Sequence, residues 1–264
     1  MNAPRMTAPR AVAPDIDGLG TWLPIPGFGL LAINAFLIHA PQPVLVDTGL
    51  ASQRTEFLEH LRARIDPAAL RWIWITHTDL DHIGNLAAVL ELAPAARIVT
   101  TYLGMAKMNL AGLPVDRVYL LNPGQSLDIG DRMLQAVSPP CFDAPETTGL
   151  LETRNRTLFS ADCFGALLEA PAENAAAIEP QALRTGMASW ARVDAPWLDR
   201  VEAGAFGRTL AAVRALEPAR ILGSHLPPAE GMTETLLENL DAARAAPAFA
   251  GPDQAALERL LAAA

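Results

Sequence analysis

Cysteine is scarce: Cys141 and Cys163 are the only two in 264 residues. That is too few for the disulfide framework of a secreted chain, and a reducing cytoplasm is the simpler compartment. Basic residues are outnumbered, with 20 Lys and Arg against 29 Asp and Glu, a formal net charge of −9 and a pI of about 5.0. This balance argues against nucleic acid as a partner, because phosphate contacts demand a basic face. Long apolar runs are missing too. The most apolar region, 28–46, is interrupted by Asn34, His39, Pro41 and Pro43, so no membrane span is expected. The first 18 residues are rich in Ala, Pro and Arg but lack the apolar segment of a secretory signal. Residues 1–20 read as a flexible N-terminal tail. No internal repeat of about 20–50 residues is visible.

Apolar residues make up 51% of the chain and charged residues 19%, the balance of a globular protein with ample core. Trp22 to Ile38 reads as two strands joined by a Gly-containing turn, and Pro43 to Val46 as a third strand ending in Asp47-Thr48-Gly49. Ala51 to Ile65 is an amphipathic helix with Phe57, Leu58 and Leu61 inward. Strands 71–75, 97–100 and 118–121 then alternate with helices 85–92 and 102–111. After the turn Asn122-Pro123-Gly124, strands are predicted at 126–129 and 132–137, then a hairpin of 150–153 with 157–160 around Arg154-Asn155-Arg156. Helices follow at 181–200, broken by Pro196, and at 203–216, with a strand at 220–223 between them and a helical tail from 230 to 264. Two mixed blocks meeting near 122–124 imply an α/β (α+β) fold over 21–264, with two sheets face to face and helices outside.

The informative stretch is Thr76-His77-Thr78-Asp79-Leu80-Asp81-His82, between the apolar strand 71–75 and the helix 85–92. The C-terminal end of a strand is where open α/β sheets place their sites. His77, Asp79 and Asp81 would share one side of an extended segment. The turn into the helix would aim His82 at a neighbouring centre. The plain alternative is that Asp81 only caps the following helix. Asp47 ends another strand, as a turn residue or as a buttress for the motif. Asp143, Asp162 and His225 stand at or beyond further strand ends, whereas His39 and His60 do not and are bystanders. Cys141 and Cys163 flank Asp143 and Asp162 and read as buried small apolar residues, the alternative being a redox-sensitive pair if the loops meet. Trp190 and Trp197 either roof a pocket or pack helices. Glu146 is a supporting partner of the site or an ordinary loop residue.

His77-x-Asp79-x-Asp81-His82, Asp47-Thr48-Gly49, Ser160-Ala161-Asp162-Cys163-Phe164-Gly165 and Ser224-His225 together resemble the metallo-β-lactamase superfamily. The nearest branch is the diiron core of flavodiiron and related oxygen-binding diiron proteins. The resemblance runs from about Trp22 to Pro228 and implies a four-layer αββα sandwich. It implies two metal ions, one held by His77, Asp79 and Asp143, the other by Asp81, His82 and His225, with Asp162 bridging. Asp143 stands where family members usually carry His, and the flavodoxin domain of flavodiiron proteins has no counterpart in this sequence.

Asp79, Asp81, Asp143 and Asp162 converging alone would repel one another, so the cluster makes electrostatic sense only when loaded with cations. Imidazoles and carboxylates without thiolate favour iron, with manganese and zinc as alternatives. The expected function is binding or reduction of a small diatomic molecule or peroxide (O2, NO, H2O2). An external redox partner would supply electrons, Asp81 and Asp162 would carry the chemistry, and a homodimer is compatible with it. The competing expectation is hydrolysis of an ester, thioester or lactone by a bridging hydroxide, with Asp81 orienting the nucleophile. A third is a metal-dependent sensor without turnover.

Overall fold

In the computed structural model, residues 5–262 are described. The first strands are β1 (Arg10–Ala13), β2 (Ile16–Ile25), β3 (Gly29–Ile38) and β4 (Val44–Val46). The chain continues through α1 (Arg54–Arg62), β5 (Trp72–Trp74), α2 (Leu80–Ile83), α3 (Leu86–Leu92), β6 (Arg97–Thr100), α4 (Tyr102–Leu110) and β7 (Val118–Leu120). Next come β8 (Ser126–Asp128), β9 (Met133–Val137), β10 (Gly149–Glu152), β11 (Thr157–Phe159) and β12 (Leu167–Leu168). The remainder is α5 (Pro180–Asp194), α6 (Ala203–Ala215), β13 (Arg220–Leu222), β14 (Ala229–Glu230), α7 (Thr233–Ala243) and α8 (Gln254–Ala262).

One sheet runs β1-β2-β3-β4-β5-β6-β7, with β12 also on β3, and the other runs β14-β13-β11-β10-β9-β8. Strands β4 to β7 are parallel, as are β11 and β13, so their C-terminal ends point the same way within each sheet. Alternation along these short strands builds the layers. Val44, Val46 and Trp74 face Leu134, Leu150, Phe159 and Leu222 across the gap between the sheets. Leu45 and Ile73 turn the other way, onto Phe57, Leu61, Val89 and Met108 of the helices over the first sheet. Leu151, Leu158 and Ile221 do the same beneath Met187, Phe206 and Leu237. The four layers are therefore helix, sheet, sheet, helix.

Several expectations change. Residues 10–20 are not a tail: β1 and the start of β2 pair from Arg10 with Gly18 to Ala13 with Ile16, and Ile16 and Leu19 are buried. Ala and Pro composition reads as coil because strand formation here comes from pairing rather than propensity: β1 closes on β2, and β2 is held along its length by β3. The first four residues of that tail lie outside the described residues. The two blocks are not cleanly separate either, since β12, a two-residue strand unseen in the sequence, returns to the first sheet against Leu30 and Leu31. Leu58 is only half-buried, because Phe57 and Leu61 already fill the inward face of α1. Helix α5 starts with Pro180 behind a Glu179 side-chain cap. It ends at Asp194 and resumes only as a short helical turn at Leu198–Arg200, the break expected at Pro196, which forces Ala195 out of helical geometry at φ −123 and ψ 72.

Candidate metal centre

Five loops meet where strands of both sheets end. They follow β4 (Asp47), β5 (His77 to His82), β9 (Asp143), β11 (Asp162) and β13 (His225). The motif is not extended throughout, as expected from its alternation. Asp79 precedes α2, and Asp81 and His82 ride on that short helix. The helical turn swings them to a different place from His77 and Asp79. Ligand-capable atoms gather in overlapping groups, each within 4.8 Å: His77, Asp79 and Asp143; Asp81, His82 and His225; His77, His82 and Asp162; and Asp143, Asp162 and Asp194. Asp162 lies between the histidines. Its carboxylate oxygens stand 3.6 Å from His77 Nε2, 3.1 Å from His82 Nε2 and 3.1 Å from His225 Nε2. Asp81 Oδ2 is 3.5 Å from both His82 Nε2 and His225 Nε2.

The far side of each imidazole is tied down. His225 Nδ1 is 2.7 Å from the Ala32 carbonyl oxygen, which can only accept, so the proton sits on Nδ1 and Nε2 is left for the cleft. His82 Nδ1 meets Asp47 Oδ2 at 2.9 Å, again turning Nε2 inward. Asp47 also accepts from the Thr76 amide at 2.9 Å and the Thr76 hydroxyl at 2.8 Å. It is therefore a buttress of the motif, one of the two roles the sequence left open, and it occupies the left-handed region at φ 57 to do so. Glu146 is likewise a partner of the site. Buried, it accepts from Thr78 and from Lys107 at 2.7 Å each and so steadies the segment between His77 and Asp79.

Trp190 donates to the Asp162 carbonyl at 3.1 Å and lays its ring 4.6 Å from that of His225. Only glycine fits beneath it: a Cβ on Gly165 would come within 2.4 Å of the indole and 2.8 Å of His225 Cβ. Trp197 donates to the Phe142 carbonyl at 3.1 Å, holding the loop that carries Asp143. Cys141 and Cys163 are free and buried, with sulfurs 3.6 Å apart; they face each other and join none of the ligand groups. His39 stands apart on Asp17 at 2.6 Å, and His60 sits half-buried on α1.

Electrostatics mark the cleft as built around charge. His77 Nε2, His82 Nε2 and Asp162 Oδ1 are buried and strongly polar, yet none makes a hydrogen bond of good geometry; His82 Nε2 and Asp162 Oδ1 meet only as an ion pair at 3.1 Å. Burial pulls His225 down, but Asp162 and Asp81 push it up to about 9. His82 is raised well above its ordinary value against the same burial, by Asp162, Asp47 and Asp81. Burial and the neighbouring His82 hold His77 low. Asp162, despite burial, is held far below the usual range by His225, His82 and His77. Burial, then Asp79 and Asp162, raise Asp143 to about 6. Asp194, absent from the sequence reading, is raised to about 8 by burial with Asp162 and Asp143 beside it. Its one sequence signal was position: it follows Trp190 by one helical turn and stops just short of Pro196. Asp79 and Asp143 are exposed while the histidines are buried, so the cleft opens on their side.

A donor set of buried imidazole nitrogens and carboxylates, gathered at the strand ends of an αββα sandwich, defines a class of metal-binding fold. Residues 28–174, more than half of the chain, match the metallo-beta-lactamase superfamily model, and the chain belongs to that superfamily. Within it, the relatives are flavodiiron proteins. A putative diflavin flavoprotein from Nostoc sp. is 32% identical over 169 residues, covering 62% of this chain and 28% of that protein. A nitric oxide reductase from Moorella thermoacetica is 28% identical over 133 residues, covering 50% of this chain and 33% of that one. The chain thus spans about a third or less of these relatives. Among solved structures, rubredoxin oxygen:oxidoreductase from Desulfovibrio gigas superposes with a TM-score of 0.80 at 21% identity, over 90% of this chain and 62% of that chain. Among the described residues, no helix is long and apolar enough to cross a membrane.

Proposed function

We propose that the cleft binds two iron ions and that the protein binds or reduces a small diatomic molecule, dioxygen or nitric oxide, with electrons from an external donor. One observation carries this reading. Three imidazoles and four carboxylates converge from both sheets with their free atoms facing inward, and His77 Nε2, His82 Nε2 and Asp162 Oδ1 are buried among one another without a hydrogen bond of good geometry. Such orphaned atoms fit a cation, which would satisfy them all at once. His77, Asp79 and Asp143 would hold one ion, Asp81, His82 and His225 the other, and Asp162 would touch both. The sulfurs of Cys141 and Cys163 turn to each other, so the donors are nitrogen and oxygen only, a set that suits iron or manganese. Two of the relatives are named for nitric oxide and oxygen chemistry, which supports the substrate class.

When bound, a reduced diiron pair supplies a redox-active position for the diatomic. The chain's own residues do the rest. Asp47 and the Ala32 carbonyl fix the tautomers and orientation of His82 and His225. Asp143 at the mouth is raised to about 6 by burial and by Asp79 and Asp162, a crowding of negative charge that a bound cation would relieve. Trp190 covers His225 and keeps water from that side.

The test is metal analysis of protein grown with iron, manganese and zinc, followed by anaerobic reduction and addition of O2 or NO. Two irons per chain and consumption of either gas are expected. Two zinc ions together with cleavage of an ester or lactone would instead establish the hydrolytic alternative and overturn this one.

A further inference from the structure

Helix α5 delivers a carboxylate that none of the sequence motifs contains. Asp194 is its last residue, one turn beyond Trp190 on the same face, and Trp190 already bonds the Asp162 carbonyl. The Asp194 side chain is 5% exposed as a residue, and its Oδ2 is buried with no hydrogen-bond partner. Its ligand atom lies with those of Asp143 and Asp162 in one group no wider than 4.8 Å. The cation nearest in sequence, Arg192, is engaged with Asp199 at 3.0 Å. The last turn of a helix carries its negative end, where an anion is disfavoured unless a cation stands opposite. A third carboxylate, buried, unpartnered and aimed at two others, is costly in an empty cleft and favourable around a metal.

We propose that Asp194 is a direct ligand of the ion on the Asp143 side of the cleft, so that Asp143, Asp162 and Asp194 present three carboxylates to one cation. The inference rests on the two-metal reading above. It makes the two positions chemically unequal. The first is surrounded by one imidazole, His77, and by Asp79, Asp143, Asp162 and Asp194. The second has two imidazoles, His82 and His225, with Asp81 and Asp162. An oxygen-rich shell suits harder cations, so the first position is the harder of the two and the second the more suited to metals that favour imidazole.

The experiment titrates chelator-stripped protein with Mn(II) under anaerobic conditions, counting free Mn(II) by EPR and bound metal by elemental analysis. Wild type is expected to bind two ions. Asp194→Asn, which keeps the shape but loses the charge, should weaken one of them by about 10–100-fold and leave the other unchanged. Asp143→Asn should weaken the same ion, and the double variant should add little beyond the larger single effect. Metal-free Asp194→Asn should melt no lower than metal-free wild type, since the amide replaces an acid that has no partner. A residue there merely for packing would lower the melting temperature with and without metal. Asp194→Ala serves the same purpose if the amide fails to fold. Two Mn(II) bound with unchanged affinities in either variant overturns the ligand assignment while leaving the two-metal reading intact. A wild type that binds no metal overturns both.

Discussion

At the scale of single residues, the cleft divides into atoms that face inward and atoms that hold them there. Asp47 belongs to the second kind. Asp47→Ala would strand the His82 ring N–H and the Thr76 amide in a buried place. The expected loss is about 1–3 kcal/mol for each donor left unpaired and about 10–100-fold in affinity for the ion at His82. Chemical denaturation and metal titration measure the two effects, and wild-type affinity in the variant would remove Asp47 from the supporting role. Asp162 and Asp143 differ in another way. Asp162 reaches all three cleft histidines, whereas Asp143 approaches only His77, at 3.9 Å. Asp162→Ala should therefore empty both positions and lower the melting temperature of the loaded protein, and Asp143→Ala should empty mainly one. Retention of two ions by Asp162→Ala contradicts the bridging role.

At the scale of elements, position depends on close approach between loops and helices that are far apart in sequence. The segment after β11 must pass under α5, and Gly165 is where they touch. Gly165→Ala would force Trp190 and His225 apart, with an expected destabilisation of about 1–3 kcal/mol from overpacking. Because His225 shifts with it, the same variant should lose affinity for one ion. A melt together with metal analysis checks both, and an unchanged pair of values would show that the loop yields without moving the histidine. The short helix α2 is the other device. It turns Asp81 and His82 away from His77 and Asp79, so one contiguous motif serves two positions. Thr48 reinforces it by donating twice, through its amide at 2.6 Å and its hydroxyl at 2.7 Å, to the His82 carbonyl.

At the scale of the whole molecule, charge gathered in the cleft links stability to pH and metal. In the metal-free fold Asp143 and Asp194 are raised to about 6 and about 8. Between the ordinary carboxylate value and those limits the folded chain holds more protons than the unfolded chain, so stability falls as pH rises. His225, raised to about 9, acts in the same direction: its stabilisation is full below the ordinary imidazole value and lost on the way to about 9. His77, held low, opposes this only near the ordinary imidazole range. The melting temperature of chelator-stripped protein should thus decline from about pH 5 to about pH 9, whereas bound ions replace the protons and flatten the curve. Calorimetry across that range, with and without metal, decides it; a stripped protein that gains stability toward alkaline pH contradicts the charge arrangement.

The αββα layering could be read from the chain because it follows from local pattern: short strands apolar on both faces, helices apolar on one, and turns marked by Pro and Gly. His77, Asp79, Asp81 and His82 were legible for the same reason, as four donors in six consecutive residues after a buried strand. Tertiary structure decided what spacing cannot carry. It ordered residues 10–20 as a hairpin whose second strand is held by β3, gave Asp47 and Glu146 their supporting roles, set the two thiols against each other, and brought Asp194 to the cleft. Apart from the β1–β2 hairpin itself, these depend on contacts between segments some twenty or more residues apart, and an isolated aspartate at a helix end looks like any other until the fold shows which face it shares.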